Sequence, residues 1–342
     1  MGIELGLRLQ RDKGVSAGIW GLMADRPAPP TPIFEEEILP PGAAEARPVV
    51  AAPAPAPTGV SSFAFGALML GNIVLAFGPW FVRMADVGPV ASGFWRLALA
   101  IPFLLAITLF SGKRPGRLGP ALWVAMLLAG LFFALDLACW HIGILHTKLA
   151  NATLFGNVSS FFFAAYGFVI ARTLPSRWQT VAILLAAAGT LLLLGRSYEL
   201  SSGQLMGDLF CLAAGLAYTG YMIAIDRARA RLGTWPTLLV ATTAAAVPLL
   251  PAALLIDGTI WPQHWGPLLA LAIGSQIIGQ GLLVYAIGAL PPVVVGLGLL
   301  SQPIVAAAVG WLGYGERLAL PDVIGAVAIA AALVLVRRRP SA

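Results

Sequence analysis

Ten apolar runs, separated by short polar segments, follow one another between residues 62 and 336. Most are about 20 residues long, the length of an α-helix that crosses the hydrocarbon core of a bilayer. The runs cover residues 62–84, 89–111, 120–144, 149–171, 178–194, 205–225, 236–256, 267–287, 293–312 and 321–336. Soluble proteins rarely place ten buried helices in succession. We therefore predict an all-α membrane protein with ten transmembrane helices.

Composition supports lipid as the solvent. Only 11% of the residues are charged and 59% are hydrophobic, with a mean hydropathy of +0.86. Soluble domains carry about 25% charged residues, so this chain has too few to cover a globule of its size. The net charge of +6 comes from basic residues scattered among short loops. That scatter indicates membrane topology and argues against a nucleic-acid partner.

Residues 1–60 differ from the rest of the chain. They contain alternating Pro and Ala at 51–57 and an acidic run at 35–37, with no sustained hydrophobic period. Such a composition cannot bury enough apolar surface to order itself. We predict a disordered cytoplasmic tail.

The basic residues of the loops predict the orientation of the helices. With residue 60 in the cytoplasm, eleven Lys and Arg fall on the cytoplasmic side and four on the other. The eleven are Lys113, Arg114, Arg117, Arg172, Arg177, Arg227, Arg229, Arg231, Arg337, Arg338 and Arg339, and the four are Arg83, Lys148, Arg196 and Arg317. This bias predicts that both termini are cytoplasmic.

The chain divides into two halves of five runs, 62–194 and 205–336. Because five is odd, the halves must enter the membrane in opposite senses, which is the inverted repeat found in many secondary transporters. At an offset of 145 residues, Asn157 of the first half falls opposite Gln302 of the second. We therefore predict two inverted five-helix repeats.

Three short motifs add a family resemblance. They are Phe94-Trp95-Arg96-Leu97, Gly207-Asp208, and Gly315-Glu316-Arg317-Leu318 with Gly325 beyond it. With the five-plus-five plan, residues 62–336 resemble the drug/metabolite transporter superfamily, EamA type. The resemblance implies a bacterial inner-membrane carrier with a central cavity, often an exporter of amino acids, metabolites or amphipathic toxicants. Members often repeat the acidic turn in the first half, where this chain has Thr173.

Arg96 and Asp136 lie well inside apolar runs, where charged residues usually face a cavity or a partner. At about 1.5 Å per residue, both lie roughly 10–12 Å deep from the same membrane surface. Equal depth on consecutive antiparallel helices predicts an ion pair. The pair is either a structural clamp or an electrostatic anchor for substrate, with a proton-linked switch as a third possibility.

Uncharged polar and aromatic residues supply the remaining candidates for a substrate cavity. They are Trp140, Asn157, Tyr218, Tyr221, Gln276, Gln280 and Gln302. Several repeat at helical spacing, such as Gln276 and Gln280, and such faces either line a cavity or bond neighbouring helices. Asp208 and Glu316 lie near predicted helix N-termini, where the helix dipole favours an acid, so we assign them structural roles.

The motifs of other function classes are missing from the sequence. It has no Walker A motif, no GxSxG and no HExxH, and Cys139 and Cys211 both lie inside apolar runs. We therefore expect no cofactor and no metal site. The leading hypothesis is a secondary transporter, an exporter of small organic solutes that works by alternating access and is driven by a gradient of protons or of a solute. An intramembrane enzyme and a receptor or scaffold without transport remain the alternatives.

The predicted topology is tested with reporter fusions. Reporters placed after Arg231 and after Arg339 should report a cytoplasmic position, and one at Gly258 the opposite side, because the basic loops stay in the cytoplasm. The reverse pattern would show that the charge bias does not set the orientation of this chain.

Overall fold

The computed structural model describes residues 61–112, 119–147, 149–195, 204–305, 308 and 319–337. Three of its helices begin at a proline. Pro89, Pro120 and Pro292 are each the first residue of a helix, a position at which the missing N–H costs nothing. The predicted tail at 1–60 and the acidic turn with Glu316 lie outside the described residues.

The helical segments group into ten stretches, which we number in chain order. They are α1 (Ser62–Met84), α2 (Pro89–Phe110), α3 (Pro120–His146), α4 (Leu149–Gly156 with Val158–Ala171), α5 (Arg177–Gly195), α6 (Leu205–Leu232), α7 (Thr234–Ile256), α8 (Gly266–Ile287), α9 (Pro292–Val305) and α10 (Leu320–Arg337).

Seven of these stretches are long and apolar enough to cross a membrane. The apolar parts of α5, α9 and α10, at Arg177–Leu192, Pro292–Val305 and Leu320–Val336, are shorter. No strand occurs among the described residues. The prediction of an all-helical membrane protein is therefore confirmed for this part of the chain, whereas the count of ten membrane spans stays a prediction.

Three of the stretches are interrupted. In α1, Pro79 has no N–H to continue the helical pattern, and Phe77 forms a turn before the second segment begins. In α4, both the N–H and the side-chain amide of Asn157 bond to the carbonyl of Thr153, at 3.0 and 2.7 Å. In α8, residues Leu271–Gly279 form a π-helix. Such segments are rare, and many of those known lie at functional sites, so this one favours a functional site in α8.

The packing of the helices repeats between the two halves. Helix α3 packs on α6 as α1 packs on α8, and α3 packs on α7 as α2 packs on α8. The contacts α2–α7, α4–α9 and α5–α10 map onto themselves when each helix is exchanged with the one five places away. This pattern is consistent with an architecture of two five-helix repeats.

Glycines allow the closest helix crossings. A Cβ added at Gly296 of α9 would lie 2.5 Å from the carbonyl oxygen of Ser160 and 2.8 Å from the amide nitrogen of Ala164, both in α4. A Cβ at Gly215 of α6 would lie 2.9 Å from the carbonyl oxygen of Gly156. Close backbone approach of this kind is a principal source of helix association in lipid.

Adding one methyl group tests this packing. We expect Gly296→Ala to lower stability by about 1–3 kcal/mol, because the new Cβ meets backbone that cannot move aside. The matched control is Gly66→Ala in α1, where nothing lies within 4 Å. Thermal unfolding of the purified variants in detergent should separate them, and equal midpoints would contradict the tight α4–α9 crossing.

Candidate functional site

A hydrogen-bonded chain of three side chains crosses the interior of the protein. Arg96 of α2 is only 6% exposed, and its Nε donates to Oε1 of Gln276 in the π-helical part of α8 at 3.2 Å. Because arginine can only donate, the Gln276 oxygen must face it. The Gln276 Nε2 then donates to Oγ1 of Thr242 in α7 at 2.9 Å. The chain therefore joins α2 of the first half to α7 and α8 of the second.

A second polar group lies one helical turn further along α8. The Nε2 of Gln280 donates to the hydroxyl of Tyr218 in α6 at 3.1 Å. The ring of Tyr218 stacks on Tyr221, with 5.6 Å between centroids, and Tyr221 stacks in turn on Phe133 of α3 at 4.4 Å. We define the central polar cluster as the polar residues of this region together with the nearby acid of α3. Its members are Arg96, Asp136, Tyr218, Tyr221, Thr242, Gln276 and Gln280.

Asp136 of α3 belongs to the central polar cluster by its electrostatics. The carboxylate is half-buried, and its charge acts on Arg96, Tyr218 and Tyr221. Within the described residues, however, no nitrogen of Arg96 lies within 4.0 Å of an Asp136 oxygen. The predicted direct ion pair is thus not observed. The neutral amide of Gln276 holds the guanidinium instead, and the acid stands apart from it.

Several polar atoms in this region have no hydrogen-bond partner within the described structure. They are Oε1 of Gln280, the hydroxyl of Tyr221 and Oγ of Ser275, each on a residue that is at least 98% buried. Buried polar atoms are nearly always bonded in folded proteins, and exceptions need an explanation. A polar solute that enters the central polar cluster would find these acceptors and donors available. The described residues of this region therefore offer hydrogen-bonding atoms that a polar solute could use.

Three of the candidates predicted from the sequence bond elsewhere. Asn157 donates to its own helix at Thr153. Trp140 of α3 packs on Gly156, since a Cβ added there would overlap the indole ring. Gln302 of α9 donates through Nε2 to Oδ1 of Asn72 at 3.3 Å. The structure thus connects none of the three to the central polar cluster by a hydrogen bond.

Asn72 was not among the candidate residues predicted from the sequence. It is fully buried in α1, and its Nδ2 donates to the carbonyl of Gly298 at 2.8 Å and to Oγ of Ser301 at 3.3 Å. The sequence does contain a signal for this contact, because a single amide side chain in an apolar run needs a hydrogen-bond partner in lipid. With Gln302, this residue forms a polar link between α1 and α9.

A second missed contact joins α2 to α3. His141 is fully buried, and its Nδ1 lies 2.7 Å from Oγ of Ser92 and 3.0 Å from the carbonyl oxygen of Pro89. Its Nε2 has no partner among the described residues. No group of three or more His, Cys, Asp or Glu that could hold a metal ion is found in the described part of the chain.

Asp208 lies in the first turn of α6, where an acid complements the helix dipole. Its Oδ1 also accepts a hydrogen bond from Oγ1 of Thr147 at 2.6 Å, which ties the end of α3 to the start of α6. Asp208 is 3% exposed, so this contact is an interior one. The geometry agrees with a structural role for this residue.

Comparison with known proteins places the chain among membrane carriers. The pseudopaline exporter CntI of Pseudomonas aeruginosa is 25% identical over 251 residues, which cover 72% of this chain and 84% of the exporter. The threonine/homoserine exporter RhtA of Salmonella typhimurium is 30% identical over 166 residues, covering 46% of this chain and 55% of the exporter. These relatives are named transporters.

The fold of this chain and its family match agree with its sequence similarity to these exporters. One crystal structure matches with a TM-score of 0.65 at 18% identity, over 80% of this chain and 95% of its own, which shows a shared fold. Two stretches, residues 62–195 and 205–338, match the EamA-like transporter family, and together they make up more than half of the chain. This protein belongs to the EamA-like transporter family of the drug/metabolite transporter superfamily.

Proposed function

We propose that this protein is a secondary transporter that exports small organic solutes carrying both a carboxylate and an ammonium group. The observation that supports it best is the bonding of Arg96. This guanidinium is 94% buried, yet its hydrogen-bond partner is the neutral amide of Gln276. A cation that has no acid in direct contact attracts an anionic group, and Arg binds carboxylates with two parallel hydrogen bonds.

The second charge of the solute would meet Asp136. Its charge acts on Arg96 without a direct ion pair between them, and in this proposal the acid attracts the ammonium group. Gln280 Oε1, which is buried and has no partner among the described residues, adds an acceptor for the same group. The relative RhtA is named a threonine/homoserine exporter, and both of these amino acids carry this pair of charges. Asp136 is also the acid of the central polar cluster that can take up a proton, and we propose protons as the coupling ion.

We also propose alternating access, and the position of the central polar cluster between the two halves supports it. Arg96 lies in the first half of the chain, and Gln276 and Thr242 lie in the second. A solute held between the halves is released to either side when they rock about it. The proposal includes an inner-membrane location with both termini in the cytoplasm, and domains at 62–194 and 205–336.

A transport assay in proteoliposomes tests this function. Labelled threonine and homoserine should be transported by the intact protein. We expect Arg96→Gln to lower the rate about 10- to 100-fold, because a charge-assisted hydrogen bond contributes about 1.5–3 kcal/mol. The control is Arg231→Gln, which removes the same charge from an exposed position at the end of α6.

Each outcome of the transport assay supports or contradicts a stated part of the proposed function. Transport that is equal in both variants would show that Arg96 does not hold the solute. Binding of the amino acids without transport would favour a receptor, and chemical conversion of them an enzyme. Inert, correctly folded protein across a wider panel of zwitterions would remove the proposed substrate class.

The role of Gln276 gives a separate prediction. Gln276→Leu removes the bonds to Arg96 and Thr242 and leaves a buried guanidinium without its partner, so we expect a loss of about 1–3 kcal/mol of stability. Gln263→Leu, at an exposed position of the α7–α8 connection, is the matched control. Thermal unfolding compares the two, and a Gln276→Leu protein as stable as the control would show that this amide does not support Arg96.

A further inference from the structure

The connection between α7 and α8, residues 257–265, lies against the first turns of α2. We call residues 257–265 the α7–α8 segment. It belongs to the second half of the chain, whereas α2 and the short α1–α2 connection at 85–88 belong to the first. Three kinds of contact join the α7–α8 segment to α2 and to the α1–α2 connection, and each involves different residues of the segment.

The side chain of Asp257 caps the N-terminus of α2 from the other half of the chain. The N-cap residue of α2 is Gly88, which has no side chain to bond the free N–H groups of the first turn. Oδ2 of Asp257 accepts the N–H of Ala91 at 2.7 Å, and an acid at this position also complements the helix dipole. A Cβ added at Gly88 would overlap the Asp257 carboxyl group, so the approach requires glycine there.

Trp95 makes the second contact, one helical turn beyond Ala91. Its Nε1 donates to the carbonyl oxygen of Ile260 at 2.6 Å. Its ring packs edge-on against Trp265, with 5.0 Å between centroids, and tilted against Trp261 at 5.3 Å. Trp95 directly precedes Arg96, so these contacts fix the part of α2 that carries the guanidinium of the central polar cluster.

Asp86 makes the third contact, from the α1–α2 connection. One oxygen, Oδ2, accepts the N–H of Gln263 at 3.0 Å, the N–H of His264 at 2.9 Å and the ring Nδ1 of His264 at 3.0 Å. Desolvation acts to raise the pKa of Asp86, but the hydrogen bonds from His264 and Gln263 hold it below its ordinary value. Because the pKa of Asp86 is lowered, the contact is fully present at any pH above the ordinary pKa of an Asp. It is lost only as the pH falls through the lowered pKa. The contact therefore persists through neutral pH.

These contacts differ from the packing of the core in one respect. The side chains of His264 and Asp86 are 80% and 28% exposed, and Trp261 is 68% exposed. Water can replace the hydrogen bonds between Asp86 and His264, so this contact can break without stranding buried polar groups. A joint that must open in every transport cycle needs this property.

We propose that the α7–α8 segment is a latch that closes one end of the carrier, with Asp257 as its positioning residue. The inference rests on the proposed alternating access, in which contacts between the halves at one end form and break. When the latch is closed, Asp257 caps α2 from the other half and holds Trp95 and Arg96 in place. When it opens, the N-terminus of α2 loses its cap and that end of the carrier becomes accessible. On the predicted topology, this is the non-cytoplasmic end.

Thiol labelling tests the role of Asp257 without any transport. Ala91 is fully buried in α2, and Ala91→Cys in a Cys139→Ala, Cys211→Ala background places one thiol beneath the latch. In nanodiscs, a hydrophilic maleimide should label it slowly with Asp257 present. We expect several-fold faster labelling after Asp257→Ala, and near-original labelling after Asp257→Asn, because Asn also caps helices. Equal rates in all three proteins would overturn the latch.

Cross-linking tests whether the latch must open. Asp86→Cys with His264→Cys in the same background places two thiols across the contact, and a short bifunctional thiol reagent should bridge them. We expect threonine transport in proteoliposomes to fall at least tenfold, and a reducing agent to restore it. Each single variant treated with the same reagent is the control.

The outcomes separate the latch from the proposed function. Bridged protein that transports at the unbridged rate would overturn the latch and leave the transporter intact. Absence of transport before bridging counts against the proposed function, and the labelling of Ala91→Cys then still decides whether Asp257 holds this end closed.

Discussion

The hydrogen bond from Arg96 to Gln276 is the interaction on which the interior of this protein depends. A guanidinium inside an apolar helix is costly in lipid unless it is held by another polar group. Here the holder is an amide from the other half of the chain, and that amide is in turn held by Thr242. One charged side chain therefore joins α2, α7 and α8 through hydrogen bonds. Among the described residues no acid contacts this positive charge, which makes the central polar cluster suited to an anionic group.

Helix α2 is joined to the second half by three hydrogen bonds from two successive turns. The N–H of Ala91 bonds to Asp257, the indole of Trp95 to Ile260, and the guanidinium of Arg96 to Gln276. All three partners belong to the continuous stretch that ends α7 and forms α8. In the proposed latch, a movement of that stretch at the membrane surface would reach the central polar cluster through α8 and α2. This is the physical connection between the proposed latch and the proposed solute site.

The two halves share a packing plan but differ in chemistry. Helices α1 and α9 meet through a polar link from Asn72 to Gln302 and to Gly298. Their counterparts α6 and α4 meet where Gly215 lies against the backbone of Gly156. Hydrogen bonds can exchange partners, whereas a close glycine crossing depends on shape alone. The repeat therefore supplies the framework, and the unequal side chains give each half its own properties.

The sequence by itself determined the helices and the candidates. Apolar length and the prolines at helix starts are local signals, and the polar residues Arg96, Asp136, Tyr218, Tyr221, Gln276 and Gln280 stand out because lipid tolerates few of them. Only the tertiary structure decided which of them bond. Equal depth predicted Asp136 as the partner of Arg96, but depth fixes a residue's height along a helix and not the direction it faces. Gln276, which is 180 residues away in sequence, occupies that direction. The cap of α2 by Asp257 was equally invisible, because a contact between distant loops leaves no period in the sequence.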